Sequence, residues 1–244
     1  MLSADPVQSP PIAVATITLA RTPLEDERLR RSLTRLAEAN LPVAVADAGT
    51  NRDFAAFLTR LPGFHITVPS ADGLVAQVAA SMALAAHFNT PYILYTEPDK
   101  ELFFERGLRG FLQDATTRGS GQEVGVALAS RSVESFRTYP AMQRYTEGVI
   151  NDVCGELLGC AGDYSYGPFV VARALVPQVR AIPHDLGWGW RHFVFRAAHI
   201  LGFRLMHVTG EYPCPPDQRV EDDAERAHRL RQLSENIQGL IAQP

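Results

Sequence analysis

The sequence predicts a single α/β domain with a mixed, mostly parallel sheet and helices on both faces. Three observations carry that expectation. Short apolar runs alternate with amphipathic or alanine-rich stretches through the first hundred residues, the order that parallel strands joined by crossover helices require. The β-prone run Tyr92-Ile93-Leu94-Tyr95 stops abruptly at Thr96-Glu97-Pro98-Asp99, leaving two carboxylates one residue apart at a strand end. A chain of 244 residues, 46% hydrophobic and 20% charged, can bury a substantial core as one large domain or two small lobes.

Ile12 to Leu19 reads as a first buried strand. Thr22-Pro23-Leu24-Glu25 follows as a helix start, with Thr22 as cap, Pro23 at the first helical position and Glu25 closing a capping box. The helix should run to about Asn40, burying Leu29, Leu33 and Leu36 and leaving Arg28, Arg30, Arg31 and Arg35 solvated. Pro42 to Ala46 is a second strand, a short helix surrounds Phe54, Phe57 and Leu58, and His65 to Val68 is a third strand. Gly73 to Phe88 is a largely buried helix, and Thr90-Pro91 breaks the chain before the acidic strand. Further on, the pattern gives a helix over Leu102 to Thr116, a Gly-rich loop at Gly119 to Gly121 and a strand from Val124 to Ala129. Ser132 to Cys160 should be helical with a break at Pro140, and Tyr166 to Ala172 a strand. Trp190 to Leu201 reads as a helix, Arg204 to Val208 as a strand, and Asp222 to Ile241 as an amphipathic closing helix. The prolines of Tyr212-Pro213-Cys214-Pro215-Pro216 require a loop.

A net charge of −4 argues against general nucleic-acid binding. Cys154, Cys160 and Cys214 make no Cys-x-x-Cys pair and leave an odd count, which suits a reduced, cytoplasmic compartment rather than a disulfide framework. Residues 1–10 read as a flexible polar lead. Pro11 to Ala20 is too short to span a bilayer and lacks a preceding basic region, so neither a signal peptide nor a membrane span is expected.

Ligands of open α/β sheets sit beyond the carboxyl ends of the strands, so Glu97 and Asp99 should face that crevice. Paired oxygen donors suit Mg²⁺ or Mn²⁺ bound together with substrate phosphates, and a solvated Pro-Asp turn is the competing explanation. Asp47 ends the second strand beside a Gly turn, where it could accept from a base or ribose, or simply cap the turn. Arg21 follows the first strand and offers a guanidinium to phosphate or a base edge, with surface solvation as the alternative. Gly73 opens a helix whose free amides could face an anion. Trp188 and Trp190 offer indole faces to a sugar or to the core. Asp185 is the acid nearest that loop and a candidate general base. His184, Arg191 and His192 make the loop basic, suiting an acceptor that carries a carboxylate or phosphate.

In order, these features resemble the GT-A type of nucleotide-sugar glycosyltransferase over most of the chain. Val43-Ala44-Val45-Ala46-Asp47-Ala48-Gly49-Thr50 resembles that family's second strand, whose terminal Asp contacts the nucleobase, and Glu97-Pro98-Asp99 resembles its Asp-x-Asp motif. Gly162-Asp163-Tyr164-Ser165-Tyr166-Gly167 and Gly187-Trp188-Gly189-Trp190 are similar to its donor-sugar and acceptor loops, which places Tyr166, Gly167, Trp188 and Arg191 among the residues expected to meet the acceptor. His207 matches the place where several members supply a third metal ligand after Glu97 and Asp99. Within the fold, the small retaining enzymes that make mannosylglycerate or glucosyl-phosphoglycerate are the nearest in layout.

The resemblance implies a GT-A-like domain over 11–244, with 11–100 as the nucleotide-binding half and 101–244 as the acceptor-binding half. It implies a metal-dependent hexosyltransferase acting on a nucleoside diphosphate sugar and a small, acidic hydroxyl acceptor, with Glu97 also within reach of the nucleotide and a homodimer open as the assembly. Two departures stand out: the first acid is Glu97 rather than Asp, and Lys100 follows the motif, where a cation can replace part of the metal's charge or weaken its binding. Two other readings keep the sheet. A sugar nucleotidyltransferase also uses strand-end acids, although Ala20-Arg21-Thr22-Pro23 lacks its usual Gly-rich basic loop. A degenerate transferase fold could act as a non-catalytic binding protein.

Overall fold

Strands β1 (Ile12–Thr18), β2 (Val43–Asp47), β3 (Phe64–Thr67), β4 (Tyr92–Tyr95), β5 (Val124–Arg131), β6 (Phe169–Ala172) and β7 (Arg204–Gly210) form one sheet in the order β3-β2-β1-β4-β6-β5-β7. This computed structural model describes residues 12–116 and 124–244. The polar lead expected over 1–10 and the Gly119 to Gly121 loop lie outside the described residues. β6 is antiparallel to both of its neighbours, whereas every other pairing is parallel. The carboxyl ends of six strands and the start of β6 therefore share one edge.

Helix α1 (Pro23–Ala37) begins as the sequence predicts. The Thr22 hydroxyl accepts from the Glu25 amide at 3.2 Å, and the Glu25 carboxylate accepts from the Thr22 amide at 3.2 Å. A cap of this kind contributes about 1 kcal/mol. Helices α2 (Arg52–Leu58) and α4 (Leu108–Ala115) cover the same face of the sheet as α1, packing Phe54, Leu58 and Phe111 beside Leu33 and Leu36. Helices α3 (Leu74–Ala86), α6 (Ala141–Leu158), α7 (Val176–Arg180) and α8 (Trp190–Ile200) cover the other. Successive β1 side chains serve the two cores in turn, Ala13, Ala15 and Ile17 on one face and Ile12 and Val14 on the other, which explains an apolar run without polar alternation.

Two differences from the sequence reading have local causes. Residues Phe103–Gly107 form a single π-turn ahead of α4 rather than its first α-turn. The strand expected from Tyr166 starts only at Phe169, because Gly167 has φ +125° and Pro168 carries no amide for a ladder. The break expected at Pro140 is present and separates α5 (Val133–Arg137) from α6. Helix α9 (Asp223–Ile241) closes the chain against the start of α8, where Gly189 and Gly239 let the two backbones touch.

Candidate functional site

The shared edge gathers the loops after β1, β2, β3 and β4 with the segment entering β6. Glu97 lies two residues past the end of β4 and is buried. Its Oε1 accepts from Arg191 Nη1 at 3.0 Å, and the two side chains are 10% and 7% exposed, so this is a desolvated ion pair between β4 and α8. Oε2 is buried without a hydrogen-bond partner, and a methyl group on Gly167 would overlap that carboxylate. Gly167 thus serves by having no side chain. Tyr95 packs beneath, its ring edge-on to Trp190 with centroids 4.6 Å apart, and burial together with the Glu97 charge pushes its phenol well above the usual range.

Asp99, two residues on, is exposed and makes no hydrogen bond or ion pair among the described residues. The two acids of the motif therefore differ in kind.

Asp47 is buried and already engaged. Thr18 Oγ1 and Thr50 Oγ1 each donate to Oδ1 at 2.8 Å, and the amides of Gly49 and Thr50 donate to Oδ2 at 3.3 Å. Four donors fill the acceptor capacity of a carboxylate, so its first work is to shape the 48–50 loop. Arg21 is exposed, with its backbone amide donating to Glu25. Gly73 is exposed ahead of α3 and leaves that helix start without a side-chain cap. Asp185 is exposed in the loop after α7.

The acceptor-loop expectations divide. Trp188 is half-buried, its amide donates to Glu235 Oε2 at 2.8 Å, and the Arg191 guanidinium lies 5.5 Å from its ring centroid. Trp190 is a core residue with no exposure. The expected basic character of this loop is not there. Glu97 neutralises Arg191, and complete burial lowers His192 to about 3, so that imidazole is uncharged at neutral pH and only exposed His184 remains.

His207 also requires a correction. β7 continues to Gly210, so His207 lies inside the strand rather than at its end. Its Nδ1 is 2.7 Å from Ser130 Oγ, its ring meets Tyr164 edge-on at 4.6 Å, and burial lowers its pKa. Among the described residues no group of three or more His, Cys, Asp and Glu side chains converges as a metal cage, and the imidazole expected as third ligand is engaged with Ser130.

One cluster escaped the sequence reading. Arg131, at the end of β5, is 1% exposed and meets Asp163 at 2.6 Å and Glu147 at 2.7 Å. Phe136 and Tyr139 flank its guanidinium, with centroids 4.6 and 4.4 Å away. Asp163 also accepts from Asn151 at 3.2 Å and from the Ser165 amide at 3.0 Å. Burial raises the Asp163 carboxyl, but the Arg131 charge and these hydrogen bonds outweigh it and hold the group below its ordinary value. The clamp fixes the loop that carries Tyr166 and Gly167. Tyr166 is buried and stacks on Tyr212, with centroids 4.8 Å apart and planes 5° off parallel. The signal in the sequence was a charged residue closing an apolar strand, the same pattern that marks Glu97.

No family model and no curated protein matches the chain. Solved structures do. A structure described as a mycobacterial protein aligns over 96% of this chain and 76% of its own, with TM-score 0.66 and 14% identity. Glucosyl-3-phosphoglycerate synthase of Mycobacterium tuberculosis, in complex with Mn²⁺, uridine diphosphate and phosphoglyceric acid, aligns over 96% and 80% with TM-score 0.63 and 12% identity. Another structure of that synthase gives 96%, 82%, 0.63 and 16%. The fold of this chain is the GT-A glycosyltransferase fold.

Proposed function

We propose that the chain is a metal-dependent glycosyltransferase that moves a sugar from a nucleoside diphosphate sugar to a small, acidic hydroxyl acceptor. The observation that carries this reading is Asp99, an exposed carboxylate with no partner among the described residues, at the crevice edge of a sheet whose fold neighbour holds Mn²⁺ and uridine diphosphate.

Asp99 fits a hard divalent ion, and the buried, unpartnered Oε2 of Glu97 is the other oxygen within the motif. Substrate phosphates and water would complete the shell, as Mg²⁺ and Mn²⁺ sites commonly require, with His207 outside it. Such an ion offsets the charge that gathers on a departing diphosphate.

The protein's own contribution is positioning. In the nucleotide-binding half, 11–100, the loop shaped by Asp47 offers backbone groups to a base, Arg21 offers an exposed cation, and the first amides of α3 beyond Gly73 suit an anion. In the acceptor-binding half, 101–244, Trp188 offers a half-exposed indole face to a sugar ring. Asp185, exposed and near that loop, is the candidate base for an inverting reaction, while retention with front-face attack needs none. No helix among the described residues is long and apolar enough to cross a membrane. A cytoplasmic setting is proposed on the three free cysteines, which suit a reducing compartment.

The test is sugar release from a panel of UDP-, GDP- and ADP-hexoses, with and without 3-phosphoglycerate, in Mn²⁺ or in EDTA. Turnover in Mn²⁺ that Asp99→Ala abolishes is expected. Equal turnover by Asp99→Ala would overturn the reading.

A further inference from the structure

Lys100 is the only lysine in the chain; every other member of its 23 Lys and Arg side chains is an arginine. It directly follows Asp99, and its Nζ lies 5.2 Å from the centroid of the Tyr166 ring. Tyr166 is itself immobilised by the Tyr212 stack and by Arg131, whose guanidinium lies 5.6 Å from the same centroid. The ammonium therefore has a fixed seat. No carboxylate pairs with it among the described residues, and the acid next to it, Glu101, is held by Arg31 of α1 at 3.3 Å.

Packing on an aromatic ring does not account for the choice of lysine. All other cation–ring contacts among the described residues, at Phe54, Phe57, Phe136, Tyr139, Tyr166 and Trp188, are made by arginines. A ring contact is worth only about 0.5–1 kcal/mol at an exposed site, and guanidinium makes it at least as well. Ammonium differs in being a compact point charge with three rotatable donors, which can meet one phosphate oxygen while leaving neighbouring oxygens to another cation. Seated on a ring, it keeps those donors free on the side away from the π-face.

We propose that Lys100 is a phosphate-oxygen ligand of the crevice. It is a built-in cation beside Asp99 that holds the diphosphate of a nucleotide together with a divalent ion, and still holds it when the ion is removed. The proposal rests on the nucleotide-sugar reading above and adds to it a metal-independent component of donor binding.

Because the chain has one lysine, amine chemistry reads this site directly. Acetylation with N-hydroxysuccinimidyl acetate in EDTA, followed by peptide mass spectrometry, should be slowed severalfold at Lys100 by whichever of UDP, GDP, ADP, CDP or dTDP binds. The rate at the α-amino group should stay unchanged, and the parent nucleoside should not protect. By calorimetry in EDTA, Lys100→Met should weaken that diphosphate tenfold or more and Lys100→Arg by much less, with an unchanged melting temperature for both. Binding that disappears in EDTA for the unaltered protein, absence of protection at Lys100, or unchanged affinity in Lys100→Met would overturn the proposal and leave the glycosyltransferase reading standing. Failure of every nucleoside diphosphate to bind in both Mn²⁺ and EDTA would overturn the two together.

Discussion

The end of β5 and the turn after β4 lie on the same edge of the sheet and both carry charge, yet they are built in opposite ways. At β5, the Arg131 guanidinium is surrounded by Asp163, Glu147 and two aromatic rings. At β4, Glu97 is treated in the same manner by Arg191, but Asp99 and Lys100 have no ionic partner among the described residues. Desolvating a charge costs several kcal/mol unless partners compensate it, so filled clusters hold a fold in place. Charges left open at a crevice edge have their binding capacity available for a ligand. The contrast separates the residues that shape this site from those that would act in it.

The comparison breaks most readily at Asp163. Asp163→Ala leaves a buried guanidinium short of its main partner and should cost about 3–5 kcal/mol by urea unfolding. A loss within the range of a surface change would mean that the β5 cluster is not the clamp described. Next in size is Arg191→Met, which strands the Glu97 carboxylate and should cost about 3 kcal/mol by the same measurement.

A smaller effect comes from His192, whose two ring nitrogens are buried and unpartnered. Its pKa falls on folding from 6.5 to about 3, so the neutral form contributes stability that is complete above the unfolded value and is lost as pH falls between about 6.5 and about 3. Replacement by Phe should flatten the decline of melting temperature across that window; an unchanged decline would place its origin elsewhere. The smallest stability effect belongs to the open pair. Asp99→Asn, a change at an exposed side chain, should shift unfolding by no more than about 0.5 kcal/mol, and Lys100→Met, at a half-buried one whose thioether chain still covers the Tyr166 ring, by no more than about 1 kcal/mol.

The sequence makes the first half legible because each of its rules is local. The capping box at Thr22, the apolar face of α1 and the abrupt end of β4 are all decided by residues a few positions apart. The second half depends on contacts that no local pattern shows. Glu97 meets Arg191 across 94 positions, and Arg131 meets Asp163 across 32. For that reason the strand-end acids were found while their different surroundings were not. Asp47 was placed correctly at its strand end, but the four donors that occupy it arise from the folded turn. His207 was misplaced because β7 runs two residues beyond the expected Val208, which carries the imidazole into the strand and against Ser130. Arg191 and His192 read as exposed cations because their helix start was recognised without the partner that buries it.

The central claim is that the turn after β4 binds a nucleoside diphosphate through its open charges. Thermal shift with UDP, GDP, ADP, CDP and dTDP in Mn²⁺ tests it most directly, since a ligand that binds only the native form raises the melting temperature by mass action. At least one diphosphate should stabilise the unaltered protein, and Asp99→Asn should lose most of that gain while melting normally on its own. A diphosphate shift of the same size in Asp99→Asn, or none with any nucleotide, would contradict the account.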